Sequence, residues 1–126
     1  MSGYRTERVG RLLQEKIGAL IVEGKIKDPR VDTFLSVTRV SMSKDLVYGD
    51  VYVSSYKSAE GLAKGVAGLQ NAAGFIQARL AEQLRMRHTP HLRFHADPGI
   101  REEFELIKKI EGLMGDEDQR RPAADQ

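Results

Sequence analysis

Leu69–Phe94, LQNAAGFIQARLAEQLRMRHTPHLRF, decides the fold. Phe75, Ile76, Leu80 and Leu84 recur at the three- and four-residue steps of a helical face, and Leu62, Val66 and Leu69 form a similar stripe before them. Between the stripes stands Ala72-Ala73-Gly74, which reads as a kink joining two short helices. A basic neck at Arg85 and Arg87 follows, then a turn at Thr89-Pro90 and the alternating Leu92, Phe94 and Ala96 of a strand. Ala and Gly carry almost no side chain, so another backbone can approach the kink closely. With positive charge just downstream, the layout suits a phosphate backbone better than a small-molecule pocket.

Upstream, Ser58-Ala59-Glu60-Gly61 opens the first of these helices with an N-cap serine and an acid in the first turn. Gly61, Gly65 and Gly68 each cost roughly 1 kcal/mol against Ala inside a helix, which predicts a marginal, closely packed element. Two β-rich runs precede it, Phe34–Met42 and Val47–Ser55, with the polar turn Ser43–Leu46 between them; this predicts a hairpin. In the second run Val47, Val51 and Val53 share one face, and Tyr48, Asp50, Tyr52 and Ser54 share the other, which is expected to be wet. Tyr48 and Tyr52 suit either base stacking or cross-strand contact, and the second use is the commoner.

The chain begins with a helix over residues 4–24, its stripe made by Val9, Leu12, Leu13, Ile17, Leu20 and Ile21, with Arg5, Arg8, Arg11 and Glu15 off it. Gly24 and Asp28-Pro29 end it. At the other end, Asp97-Pro98 resembles an N-cap with a first-turn proline, and Ile100, Phe104, Ile107 and Ile110 form the inner face of a last helix. The order is helix, strand, strand, helix, kink, helix, strand, helix, an α+β arrangement. Residues 1–114 form one domain, and 115–126 are expected to be an acidic, disordered tail.

A chain of 126 residues with 40% hydrophobic side chains supports one continuous core. It has no cysteine, which excludes disulfides and thiolate metal sites. No segment approaches the ~20 apolar residues of a membrane span, and the first residues lack a signal-peptide apolar run, so a soluble cytoplasmic protein is expected. The net charge of +2 conceals an asymmetry: residues 1–101 hold 16 Lys/Arg against 10 Asp/Glu, and residues 102–126 hold 4 against 8. A basic body with an acidic end fits a polyanion binder, and it equally fits a plain solvated surface.

Catalysis and metal binding find little support. His91 and His95 point the same way on a strand but stand about 13 Å apart at ~3.3 Å per residue, too far to share a zinc ion with nitrogens at ~2.0–2.1 Å. No Ser-His-Asp set, P-loop or paired acids occur. The reading is therefore non-enzymatic, with no metal and no cofactor. On the residues alone the kink also suits a close helix crossing that needs small side chains, which is the commoner use of such a motif.

Several pieces in one order resemble the ribosome-binding factor A family of bacteria. They are the opening arginine helix, Ile26-Lys27-Asp28-Pro29-Arg30, Val40–Leu46 (VSMSKDL), Asp50–Val53 (DVYV), Leu69–Phe75, and Leu84–Arg87 leading into Thr89–Phe94. The likeness runs through residues 5–110. It implies a type II KH-like domain whose mixed three-stranded sheet packs on helices, with an Ala-x-Gly kink, here Ala72-Ala73-Gly74, in place of the GxxG loop that holds nucleic-acid backbone in the usual KH module. It also implies a monomeric assembly factor that binds the small (30S) ribosomal subunit and its 16S rRNA near the 5′-terminal helix, linked to rRNA processing and cold adaptation. Two residues depart from the family pattern: His91 stands where many relatives carry an acid, and Gln77 where a basic residue is common.

The RNA-binding set expected on these grounds is Arg8, Arg11, Ala72, Ala73, Gly74, Arg79, Arg85 and Arg87. The kink frees amides, the following helix aims its positive end at the same place, and the guanidiniums neutralise neighbouring phosphates. The alternative is a protein-binding adaptor working through the last helix and acidic tail.

Overall fold

The computed structural model describes residues 2–97, which fold as α1 (Ser2–Val22), β1 (Leu35–Met42), β2 (Tyr48–Ser55), α2 (Ala59–Asn71), α3 (Ala73–Leu84) and β3 (His91–Ala96). The sheet runs in the order β1-β2-β3, antiparallel in its first pair and parallel in its second. This is the α+β order with a mixed sheet that the periodicities and the family resemblance predict. The expected last helix, with Ile100, Phe104, Ile107 and Ile110, and the tail at 115–126 lie outside the described residues.

One core unites the layers. Leu13, Ile17, Leu20 and Ile21 of α1 meet Val37, Val51, Val53, Leu92 and Phe94 of the sheet, together with Leu62, Leu69, Ile76 and Leu80 of the two later helices. α1 packs on β1, α2 on β2 and β3, and α3 on β3 and α1. The helices thus cover one side of the sheet. Three expected core residues leave it: Leu12 is exposed on α1, Val47 lies just ahead of β2 and is exposed, and Phe75 faces solvent. Ser54, expected on the wet face, is fully buried, so that face ends at Tyr52.

β1 holds an irregularity with consequences. Its register with β2 shifts between Val37, opposite Val53, and Arg39, opposite Tyr52, so Thr38 is an extra residue. A one-residue bulge exchanges the faces of everything after it. Val40 therefore turns toward the core side with Val51, and Arg39 turns to the opposite side with Tyr52. The bulged backbone is served from the helix layer: Gln14 Nε2 donates to the carbonyls of Val37 at 3.3 Å and Thr38 at 3.4 Å. Thr38 Oγ1 donates to Asp97 Oδ2 at 2.6 Å, joining the bulge to the end of β3.

Two glycines of α2, Gly65 and Gly68, mark close approach. A Cβ on Gly65 would sit 2.6 Å from Leu35 Cδ1, so the Leu35 side chain packs directly against the α2 backbone there. Ser58 caps α2 as expected, its hydroxyl accepting from the Gly61 amide at 2.9 Å.

Candidate nucleic-acid interface

The kink is a one-residue interruption. The Ala72 amide closes α2 by donating to the Gly68 and Leu69 carbonyls at 3.0 and 3.1 Å. Its backbone, at φ −93° and ψ 10°, then leaves helical geometry, and α3 restarts with the Ile76 amide donating to the Ala72 carbonyl at 3.0 Å. No side chain caps α3. The amides of Ala73, Gly74 and Phe75 precede that first bond, as the leading amides of any helix do, and the positive end of the helix dipole lies there.

Ala72 and Ala73 are half-buried against the core, whereas Gly74 is exposed and a Cβ built on it would meet nothing within 4 Å. No neighbour demands a glycine at that position. Beside it the Phe75 ring is 43% exposed, with the Arg79 guanidinium 5.7 Å from its centre. The outer side of the elbow is therefore bare backbone, an aromatic plane and a cation.

Two glutamines clamp this elbow to the sheet. β3 is an edge strand, and its outward N–H and C=O groups would otherwise be unpaired. Gln70 Oε1 accepts from the Phe94 amide at 2.9 Å while its Nε2 donates to the Leu92 carbonyl at 3.2 Å. Gln77 Oε1 accepts from the Leu92 amide at 3.0 Å. One residue on each side of the kink thus holds the same strand.

A third anchor is the connection after α1. Gly68, one turn before the kink, lies so close to this connection that a Cβ would come 2.9 Å from Val31 Cγ2, 3.0 Å from Asp28 Oδ1 and 3.1 Å from Arg30 Cβ. Asp28 is buried and takes four donors: the Arg30 amide at 2.9 Å, Arg30 Nε at 3.0 Å and Nη2 at 2.8 Å, and Asn71 Nδ2 at 3.2 Å. The Arg30 guanidinium, its amide and Asn71 together hold the carboxyl well below the usual carboxylate range, outweighing the opposing effect of burial. The Arg30 side chain remains 43% exposed.

The expected arginines divide into groups. Arg79 lies on α3 one turn past Phe75, its Nε shut from solvent with no hydrogen-bond partner among the described residues. Arg85 caps the far end of α3 in the left-handed conformation, φ 53° and ψ 40°, its amide donating to the Ala81 carbonyl at 3.0 Å. Arg87 is exposed in the connection to β3. The 12 residues of α3 separate the elbow from this basic neck by roughly 18 Å at 1.5 Å per residue. Arg8 sits with Arg5, Val9 and Leu12 on α1, and Arg11 faces a depression shared with Arg39, Val40 and Met42 of β1. β1 is the sheet edge opposite β3, so Arg11 does not join the elbow cluster.

Arg30 and Phe75 join the site from outside the set that sequence reasoning supplies. The signal for Arg30 is an Asp two residues before it across a proline, a spacing at which a carboxylate folds back on the following backbone. Phe75 carries no signal, because helical spacing alone places it with Ile76.

Among the described residues no three His, Asp or Glu side chains form a potential metal site, and no helix is long and apolar enough to cross a membrane. What the elbow offers is amide donors, a positive helix end, an exposed ring and cationic chains: a surface for phosphate and base.

The family model for ribosome-binding factor A matches residues 5–110. Ribosome-binding factor A of Treponema denticola is 47% identical over 113 residues, spanning 90% of this chain and 86% of that protein. The crystal structure of ribosome-binding factor A from Thermus thermophilus superposes with a TM-score of 0.60 at 30% identity, covering 72% of this chain and 94% of that one. A Thermus thermophilus ribosome-binding factor A homology model, fitted into a cryo-EM map of a 30S complex, superposes with a TM-score of 0.52 at 30% identity, covering 69% and 93%. A match through nearly the whole described fold, in sequence and in shape, leaves one assignment: the chain belongs to the ribosome-binding factor A family.

Proposed function

We propose that this protein is a non-catalytic assembly factor that binds the small ribosomal subunit in the cytoplasm and lays its α2–α3 elbow on rRNA backbone. The observation that carries the reading is the bare, uncapped elbow at Gly74, tied to the edge strand and flanked by Phe75 and Arg79, with Arg30 against α2 one turn before it. The amides of Ala73 and Gly74 donate to one phosphate, Phe75 stacks a neighbouring base, and Arg79 neutralises the next phosphate. Arg85 and Arg87 extend the track along α3, while Arg8 and Arg11 meet the subunit at separate points on α1. A relative fitted into a 30S complex supports the choice of partner.

In this reading the contact is to 16S rRNA near its 5′-terminal helix, made by a monomer in a KH-like mode during late maturation. Sedimentation of the full chain with purified particles tests it. The protein is expected to travel with free small subunits and not with complete ribosomes, and to dissociate steeply as salt rises, because each phosphate contact releases counterions. Co-sedimentation that ignores salt, or equal binding to complete ribosomes, contradicts it.

A further inference from the structure

The sheet side away from the helices carries a second assembly, which the elbow does not use. Tyr48 pairs in register with His91, Asp50 with Arg93, and Tyr52 with His95. The Thr38 bulge sets Arg39 on the other flank of Tyr52. Every member touches the next. The Tyr48 and His91 rings lie 5.7 Å apart, the Tyr52 and His95 rings stack at 5.1 Å, and the guanidiniums of Arg39 and Arg93 cover Tyr52 and Tyr48 at 4.1 and 4.5 Å.

Among the described residues of these three rows the single carboxylate, Asp50, is already engaged. Arg93 grips it at 3.0 and 3.1 Å, and the His95 Nε2–H donates to it at 2.7 Å. Burial favours its neutral form, but these hydrogen bonds prevail and its pKa is lowered. The planes left facing solvent are therefore cationic or aromatic: Arg39, Arg93, His91 and the half-exposed Tyr48.

We propose that this face is a second docking surface, one that takes an unpaired RNA strand by stacking bases on its guanidinium and ring planes. The chemistry selects that occupant. No aliphatic side chain stands in the three rows, so an apolar protein interface has nothing to bury there, whereas flat delocalised cations and rings match nucleobases and the phosphates between them. Tyr48 to Tyr52 spans about 13 Å at ~3.3 Å per residue, room for two or three splayed nucleotides. A duplex hides its base faces and does not fit. The surface is on the opposite side of the sheet from α2 and α3, so the inference does not rest on the elbow touching RNA.

The test titrates a short, fluorescently labelled oligoadenylate with the full chain and follows anisotropy. Arg39→Lys combined with Arg93→Lys keeps the charge and removes the planes; it is expected to weaken binding roughly tenfold with the salt slope unchanged. Tyr48→Ala, at an exposed position, is expected to lose several-fold affinity at an unchanged melting temperature, and Tyr48→Phe to regain it. Introduced into a Gly74→Val background, the double lysine substitution is expected to cost the same tenfold, which separates the sheet face from the elbow. Failure of the wild-type chain to bind, full affinity in the double lysine variant, or equal competition by duplex overturns the proposal. So does a photo-crosslinker placed at Tyr48 that reaches residues 98–126 or a ribosomal protein instead of RNA.

Discussion

Asp28 grips Arg30 at two points, with Nε 3.0 Å from Oδ1 and Nη2 2.8 Å from Oδ2, while the Arg30 amide donates to Oδ1 as well. The pair lies beneath Gly68, one turn before the kink, so the connection after α1 braces the helix that carries the elbow. A short motif a few residues beyond one helix thus fixes the position of another.

The pH dependence of this brace has a definite sign. A carboxyl whose folded pKa is depressed contributes stability above its unfolded value of ~3.9, and the contribution is lost as pH falls below that value toward the folded one. Asp28→Asn removes the charge at every pH. Its melting temperature is expected to fall several degrees below wild type at neutral pH, with the gap closing below about pH 4. Thermal melts across that range check it; a constant gap contradicts the role given to the ion pair.

Gln70 and Gln77 hold the elbow to the edge of β3, and replacing both with Leu leaves the Leu92 and Phe94 amides unpaired. An unsatisfied buried donor costs ~1–3 kcal/mol. The double variant is therefore expected to lose about 2–4 kcal/mol in urea unfolding and to show faster amide exchange at Leu92 and Phe94. Stability within about 0.5 kcal/mol of wild type would mean that solvent serves the edge equally well.

Arg85 offers a case where stability and binding part company. Its left-handed backbone is strained for any side chain and natural for glycine at the end of a helix. Arg85→Gly is expected to stabilise the fold by up to ~1 kcal/mol and still weaken small-subunit binding by several-fold, measured by urea unfolding beside a binding titration. A variant that is more stable and binds equally well removes Arg85 from the RNA track.

Much of this molecule is written in the spacing of its apolar residues. Ile17, Leu20 and Ile21 repeat at helical steps, and Val51 and Val53 alternate, because burial imposes those periods directly. The Thr38 bulge is half legible: apolar positions change parity between Val37 and Val40, but only the pairing shows which residue is extra. Phe75 escapes the pattern because it stands next to Ile76, so the apolar pair reads as core together although only Ile76 is buried. Gln70 and Gln77 leave no trace in the pattern, since their partners are backbone groups of a strand far along the chain. Long-range polar contacts have no period. For the same reason sequence alone groups Arg11 with the elbow: sign of charge is visible there, and the edge of the sheet on which it lands is not.

Paired measurements on Gly74→Val test the elbow most directly. Gly74 has open space around it, and valine suits a helix slightly better than glycine, so the fold itself has no reason to object. The melting temperature is expected to stay within a few degrees of wild type, while affinity for purified small subunits falls at least tenfold as the branched side chain holds rRNA off the amides. Unchanged affinity, or a loss no larger than the accompanying loss of stability, contradicts the assignment of Ala72-Ala73-Gly74 as an RNA contact.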